Sequence, residues 1–122
     1  MSLNHANDIT YNSKLDRLIV CHNTGAANKV TYINPNDLKI TGEKTLDFNI
    51  YSIDYNATDN CYVVGESGGE SFSILDSRFE KVYTFASQVK PDFDAEERMT
   101  QGICCDDKYI YCVLFKPNVI AL

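Results

Sequence analysis

Three short runs in this chain have no polar face. Leu18-Ile19-Val20-Cys21, Cys61-Tyr62-Val63-Val64 and the run that opens with Tyr109-Ile110-Tyr111-Cys112 and extends to Phe115 are apolar on both alternations. A strand built from any of them must be covered on both sides. A sandwich covers one face of each of its sheets, whereas a sheet stacked between two neighbours is covered on both. Ile19, Val20, Val63, Val64, Ile110 and Val113 are accordingly expected to be nearly fully buried.

Each run occupies the same place in a repeat. Ile9-Thr10-Tyr11-Asn12, Ile53-Asp54-Tyr55-Asn56 and Ile103-Cys104-Cys105-Asp106 open the three copies, 44 and then 50 residues apart. A third strand follows each apolar run, at Lys29 to Ile33, Ser71 to Leu75 and Asn118 to Leu122. A fourth, more polar strand closes the first two copies, from about Leu38 to Thr45 and from about Phe79 to Phe85. Lys39, Glu43 and Lys44 on it suit an outer edge that must discourage pairing with strangers. Four short strands per period of about 40 to 50 residues is the pattern of propeller blades. The expected fold is all-β, with propeller-like blades of four-stranded antiparallel sheets in an incomplete ring. Residues 1–122 are expected to form a single propeller-type domain or fragment, with repeats at about 5–47, 48–95 and 96–122.

The links between strands carry turn chemistry. Asn12 to Asp16, Asn34-Pro35-Asn36-Asp37 and Asp76-Ser77-Arg78 hold residues whose side chains bond their own backbone or preset a bend. Gly68-Gly69 suits a tight hairpin. The insertion from Ala86 to Arg98 is acidic and expected to be helical in part. Asp92, Asp94 and Glu96 within it lack the glycine and spacing of a calcium loop, which favours a solvated loop.

Eleven Lys and Arg against seventeen Asp and Glu give a net charge of −6. With no basic cluster, a nucleic-acid backbone or an anionic membrane surface is not an expected partner. No run approaches the roughly 18 apolar residues of a membrane span, and Met1-Ser2-Leu3 lacks the regions of a signal peptide. A soluble chain is expected. Because the third copy stops inside its third strand, the chain is also expected to be a piece of a longer protein. The five cysteines show no C-x-x-C and no histidine at ligand spacing, so neither a zinc site nor any other cofactor is expected. Cys21 and Cys112 read as core residues in the slot that Val64 fills in the second copy. Cys104 and Cys105 point to opposite faces of one strand, and a redox role for them stays open. Reduced thiols lean towards a cytoplasmic setting, although a piece of a secreted or cell-surface protein fits the same composition.

The run LIVCHNTGAANKVTYINPNDLKI, Leu18 to Ile40, resembles propellers built from YVTN-type or NHL-type repeats: a strand, an Asn-containing hairpin, a second strand ending in Ile-Asn, then a turn. The second copy keeps this from Tyr62 to Val82, with Asp76 at the Asn34 position. In such propellers the first strand of each blade lines a central channel, and ligands meet the loops leading into those strands. The resemblance therefore implicates His5, Asn7 and Asp8 in the first copy, Asn49 and Tyr51 in the second, and Thr100 and Gln101 in the third. The plainer reading is that these groups satisfy backbone atoms where the strands begin. The function implied is a non-catalytic binding or scaffolding module for a peptide, glycan or protein partner. Further copies of the chain, or the remaining blades of a longer parent, would cover its open sheets. Two alternatives stand beside it: a hydrolase or lyase with His5 as base and Asp8 as its orienting carboxylate, and a purely structural segment of a surface or cell-wall protein. The chain has two histidines and no nucleophile elbow, which weighs against the enzyme.

Overall fold

A computed structural model describes residues 3–23, 25–66, 71–86, 100–114 and 120–121. The expected glycine hairpin at Gly68-Gly69, and the acidic insertion beyond Ala86 with its Asp92, Asp94 and Glu96, lie outside these residues. So do Asn118, Val119 and Leu122 of the last expected strand and Phe115 of the third apolar run. The described residues contain strands and turns but no helix.

The first copy is β1 (Ala6–Asn12), β2 (Arg17–His22), β3 (Lys29–Ile33) and β4 (Ile40–Thr45). The second is β5 (Ser52–Asn56), β6 (Cys61–Gly65), β7 (Ser71–Leu75) and β8 (Lys81–Ala86). The third is β9 (Thr100–Cys105), β10 (Ile110–Leu114) and β11 (Ile120–Ala121). Each copy is its own antiparallel sheet in sequence order, β1-β2-β3-β4, β5-β6-β7-β8 and β9-β10-β11. The copies share one register, because Tyr11 pairs with Leu18, Tyr55 with Tyr62 and Cys105 with Ile110.

The same side-chain device makes the first turn of every sheet. Asn12 Oδ1 accepts the N–H groups of Lys14 and Leu15, both at 3.0 Å. Asn56 Oδ1 does this for Thr58 and Asp59, and Asp106 Oδ1 for Lys108 and Tyr109. The turn is then tied to a tyrosine. Tyr11 Oη donates to Asp16, Tyr55 Oη to Asn60, and Tyr111 Oη to Asp106. Asp16 and Asn60 adopt φ of 48° and 52°, the left-handed region that Asn and Asp tolerate better than most side chains. Between the third and fourth strands Asn34 and Asp76 repeat the arrangement by accepting from Asn36 and Arg78.

These turns are built to be charged. The Tyr111 hydroxyl and two backbone N–H groups hold the Asp106 carboxyl below its ordinary value of 3.8. The N–H of Glu80, with Arg78, does the same for Asp76. A depressed folded pKa contributes stability that is present above 3.8 and lost as pH falls through the folded value. Acid titration of the unfolding midpoint is therefore expected to show a loss below pH 3.8 that is shallower in the Asp76→Asn/Asp106→Asn double variant. Parallel slopes would contradict it.

The core lies between sheets. Ile19, Cys21 and Val30 of the first sheet, with Leu46 and Ile50 of the link, meet Ile53, Tyr55, Tyr62, Val64, Leu75 and Phe79 of the second. The Tyr62 ring is wholly buried, stacks on Phe79 at 4.4 Å between centroids, and lies 5.3 Å from Tyr55. A smaller cluster of Phe72, Phe85, Ile103, Ile110 and Cys112 joins the second sheet to the third.

Ile19, Val20, Val63 and Val64 are buried as expected. Ile110 is half-buried and Val113 is 48% exposed, against expectation. For Val113 the register supplies the reason: it faces away from the second sheet, where no described sheet follows, whereas Ile110 and Cys112 face that sheet. Cys21 is also corrected. It pairs with Asp8 as Gly65 pairs with Ser52, so it is the equivalent of Gly65, one residue beyond the slot shared by Val20, Val64 and Cys112. It is buried on the face towards the second sheet.

Candidate functional site: the inner strands and their N-terminal ends

The first strand of each sheet is paired on one side only, which leaves a row of backbone groups along its other edge. At β5 and β9 side chains from the preceding sheets fill part of that row. Thr10 Oγ1 accepts the N–H of Tyr55 at 2.9 Å and donates to Asp54 Oδ1 at 2.9 Å. The other Asp54 oxygen accepts the N–H of Cys105 at 2.8 Å. Thr10, Asp54 and Cys104 occupy one register position, so each of the first two closes the edge of the next sheet one residue along. Asn12 Nδ2 donates to the buried Tyr62 hydroxyl at 2.6 Å.

Asp8 gathers all three strands. Its Oδ2 accepts the N–H groups of Ile53 at 3.0 Å and Ile103 at 3.3 Å, and its Oδ1 that of Ile9 at 2.9 Å. A Cβ added at Gly102 would lie 3.6 Å from Asp8 Oδ1, so the carboxylate rests against β9 as well. Burial raises the Asp8 pKa, the three N–H groups oppose that shift, and the nearby Asp54 charge adds to it.

The seven residues anticipated around the strand starts fall into two sets. His5, Asn49 and Tyr51 precede their strands, as expected. Asn7 and Asp8 lie inside β1, and Thr100 and Gln101 inside β9, because those strands pair further than the alternation suggested. β1 continues to Ala6, opposite His22, through a bulge between Ala6 and Asp8. A bulge re-aims a side chain, and Asn7 at this one donates through Nδ2 to the Tyr51 carbonyl. A register shift falls at the matching place in the third sheet, between the pairs Cys112–Ile103 and Leu114–Thr100, which brackets Gln101. His5 is exposed, and its carbonyl accepts from the N–H of Asn23 at 2.8 Å. Asn49 is exposed and Tyr51 half-buried.

Thr10 and Asp54 were not anticipated as site residues. The available signal was a polar residue between two apolar or aromatic ones, Ile9 and Tyr11 or Ile53 and Tyr55.

The remaining chemistry-bearing groups are placed as follows. His22 is buried with Nε2 2.8 Å from Thr31 Oγ1, and burial lowers its pKa. Burial, aided by Asp54, pushes the Cys105 thiol up to about 12, and burial pushes Cys21 to about 12 as well. Both are thiols at neutral pH rather than nucleophilic thiolates. Among the described residues no three His, Cys, Asp or Glu side chains come together as a metal site, and no helix is long and apolar enough to cross a membrane.

No protein-family model matches the chain, and no curated protein sequence does either. Solved structures do match. Over 93% of its length the chain superposes on Kuenenia stuttgartiensis hydrazine synthase with a TM-score of 0.59 at 16% identity, covering 30% of that chain. Over 94% of its length it superposes on the Cps50 (Swd1) β-propeller domain of Myceliophteria thermophila with a TM-score of 0.54 at 12% identity, covering 34% of that chain. The fold is that of β-propeller blades. At these identities the likeness speaks for the fold alone, and the chain spans about a third of the length of each matched structure. In propeller terms β1, β5 and β9 are the inner strands, and the three sheets are consecutive blades.

Proposed function

We propose that this chain is a non-catalytic binding or scaffolding segment of a β-propeller of the YVTN/NHL repeat type. It would recognise a peptide, glycan or protein partner at the end where its inner strands begin. The observation that carries this reading is the bond from Asn7, on the β1 bulge, to the Tyr51 carbonyl. Asp8 also spans Ile53 and Ile103, the matching residues of the next two inner strands. Together these support a common polar rim of His5, Asn7, Asp8, Asn49 and Tyr51, to which the positions of Thr100 and Gln101 in β9 belong by register. Within it His5, Asn49 and Tyr51 offer an imidazole, an amide and a phenol to a ligand.

The same geometry weighs against the hydrolase or lyase. Asp8 spends its oxygens on three backbone N–H groups instead of orienting an imidazole. Neighbouring blades, or further copies of the chain, would cover the outer faces of the first and third sheets.

Glycan and peptide arrays probed with the chain and with Asn49→Ala/Tyr51→Ala test the proposal. The expected result is a set of array ligands whose binding falls at least about tenfold in the double variant, the scale of losing one or two good contacts. Ligands bound equally by both proteins would remove the rim as the site, and no ligand on either array would remove the reading.

A further inference from the structure

The open face of the first sheet and the far face of the third repeat, in register, the two sides of the junctions inside the chain. At the first blade junction Thr10 closes the N–H of Tyr55, and at the second Asp54 closes that of Cys105. The next position in this series is Cys104, which is exposed. The N–H that would precede the series is that of Tyr11, the register equivalent of Tyr55 and Cys105. The apolar surfaces match in the same way. Ile53 and Tyr55 are 1% and 9% exposed against the first sheet, whereas their equivalents Ile9 and Tyr11 are 53% and 47% exposed. On the far face of the third sheet Val113 is 48% and Tyr109 56% exposed, while Val63 on the matching face of the second sheet is 5% exposed.

We infer that the far face of the third sheet packs on the open face of the first sheet of a second copy. Cys104 then stands opposite the partner's Tyr11 N–H, as Thr10 stands opposite Tyr55. The inference rests on the propeller reading and extends it by naming the occupant of the open faces. Continuity with the two junctions already inside the chain is what selects a second copy, because one copy presents the outgoing face and the other the incoming face of a single repeating contact. Joined head to tail at both of these faces, two copies form a closed two-fold pair rather than a filament. A thiol accepts an N–H more weakly than a hydroxyl or carboxylate, so this junction is weaker than the internal ones and the dimer is reversible.

Light scattering at micromolar concentration and engineered cross-linking test the inference together. The chain is expected at the mass of two copies. Tyr11→Cys with oxidised glutathione as electron acceptor is expected to form an intermolecular disulfide to Cys104, which is lost in Tyr11→Cys/Cys104→Ser. Val113→Asp, which places an unpaired charge in the junction, is expected to weaken association by about 100-fold or more with the circular dichroism of the strands retained. Cys104→Thr is expected to tighten it by about threefold to tenfold. A folded species of single-chain mass overturns the inference, and so does a disulfide between two wild-type Cys104 residues, which would mean that like faces meet. If a single-chain species still binds array ligands through the rim, the pairing fails while the proposed function stands.

Discussion

Replacing Tyr62 with alanine is expected to lower the free energy of unfolding by about 3 to 5 kcal/mol, the range for deleting a large buried ring. Among the described residues no other side chain of its size is so fully buried, and it stands where the first two blades meet. It stacks on Phe79, contacts Tyr55 and accepts from Asn12 through its hydroxyl. Truncation leaves a ring-sized hole between two sheets and strands the buried Asn12 amide. Tyr62→Phe keeps the ring and removes only the acceptor, so its cost is expected to be about 1 to 3 kcal/mol. Urea unfolding of the three proteins checks both values. A Phe variant as damaged as the Ala variant would mean that the hydroxyl, not the stacked ring, holds the junction.

Asp8→Ala is expected to cost about 2 to 4 kcal/mol. Removing the carboxylate leaves the N–H groups of Ile53 and Ile103 without their acceptor, and each buried orphan costs about 1 to 3 kcal/mol. Asp8 is half-buried, so water entering the gap recovers part of that loss. Asp8→Asn presents one oxygen where the carboxylate presents two, and is expected to fall between wild type and Asp8→Ala. Denaturant unfolding measures the ranking. An Asp8→Ala protein within about 0.5 kcal/mol of wild type, the scale of an ordinary surface substitution, would contradict the role assigned to this carboxylate.

How much of this was legible in the sequence depended on whether a feature is local. The doubly apolar runs Leu18 to Cys21 and Cys61 to Val64 announced strands that need cover on both faces, and the junction cluster covers the Ile19 and Cys21 face of the first and the Tyr62 and Val64 face of the second. Asn12 announced its turn because an amide bonds its own backbone two and three residues on, and Asn56 and Asp106 repeat that turn in the other copies. Alternation also predicts which side a residue points to. It does not say whether that side is occupied, and Val63 and Val113 show the gap: equivalent faces, one packed against a further sheet and one not. The proposed rim rests on a recurrence of polar residues around the starts of the inner strands. The reach of β1 back to Ala6 was not legible, since it depends on how far β2 runs opposite it. Asp8 read as a ligand group or the partner of His5. Its role as an acceptor for Ile53 and Ile103 depends on strands 45 and 95 residues away. For the same reason Thr10 and Asp54 went unnoticed, because their partners belong to other blades.

The central claim is that consecutive blades are joined by side chains of one inner strand closing the backbone edge of the next. Amide hydrogen exchange at Tyr55 and Cys105 tests it most directly. Both N–H groups lie on strand edges without a backbone partner, so on their own they would exchange like the amides of an open edge. The account predicts that both are protected like interior strand amides, that Thr10→Ala releases Tyr55, and that Asp54→Ala releases Cys105. Fast exchange of both in the wild-type chain, or protection unchanged by either substitution, would contradict it.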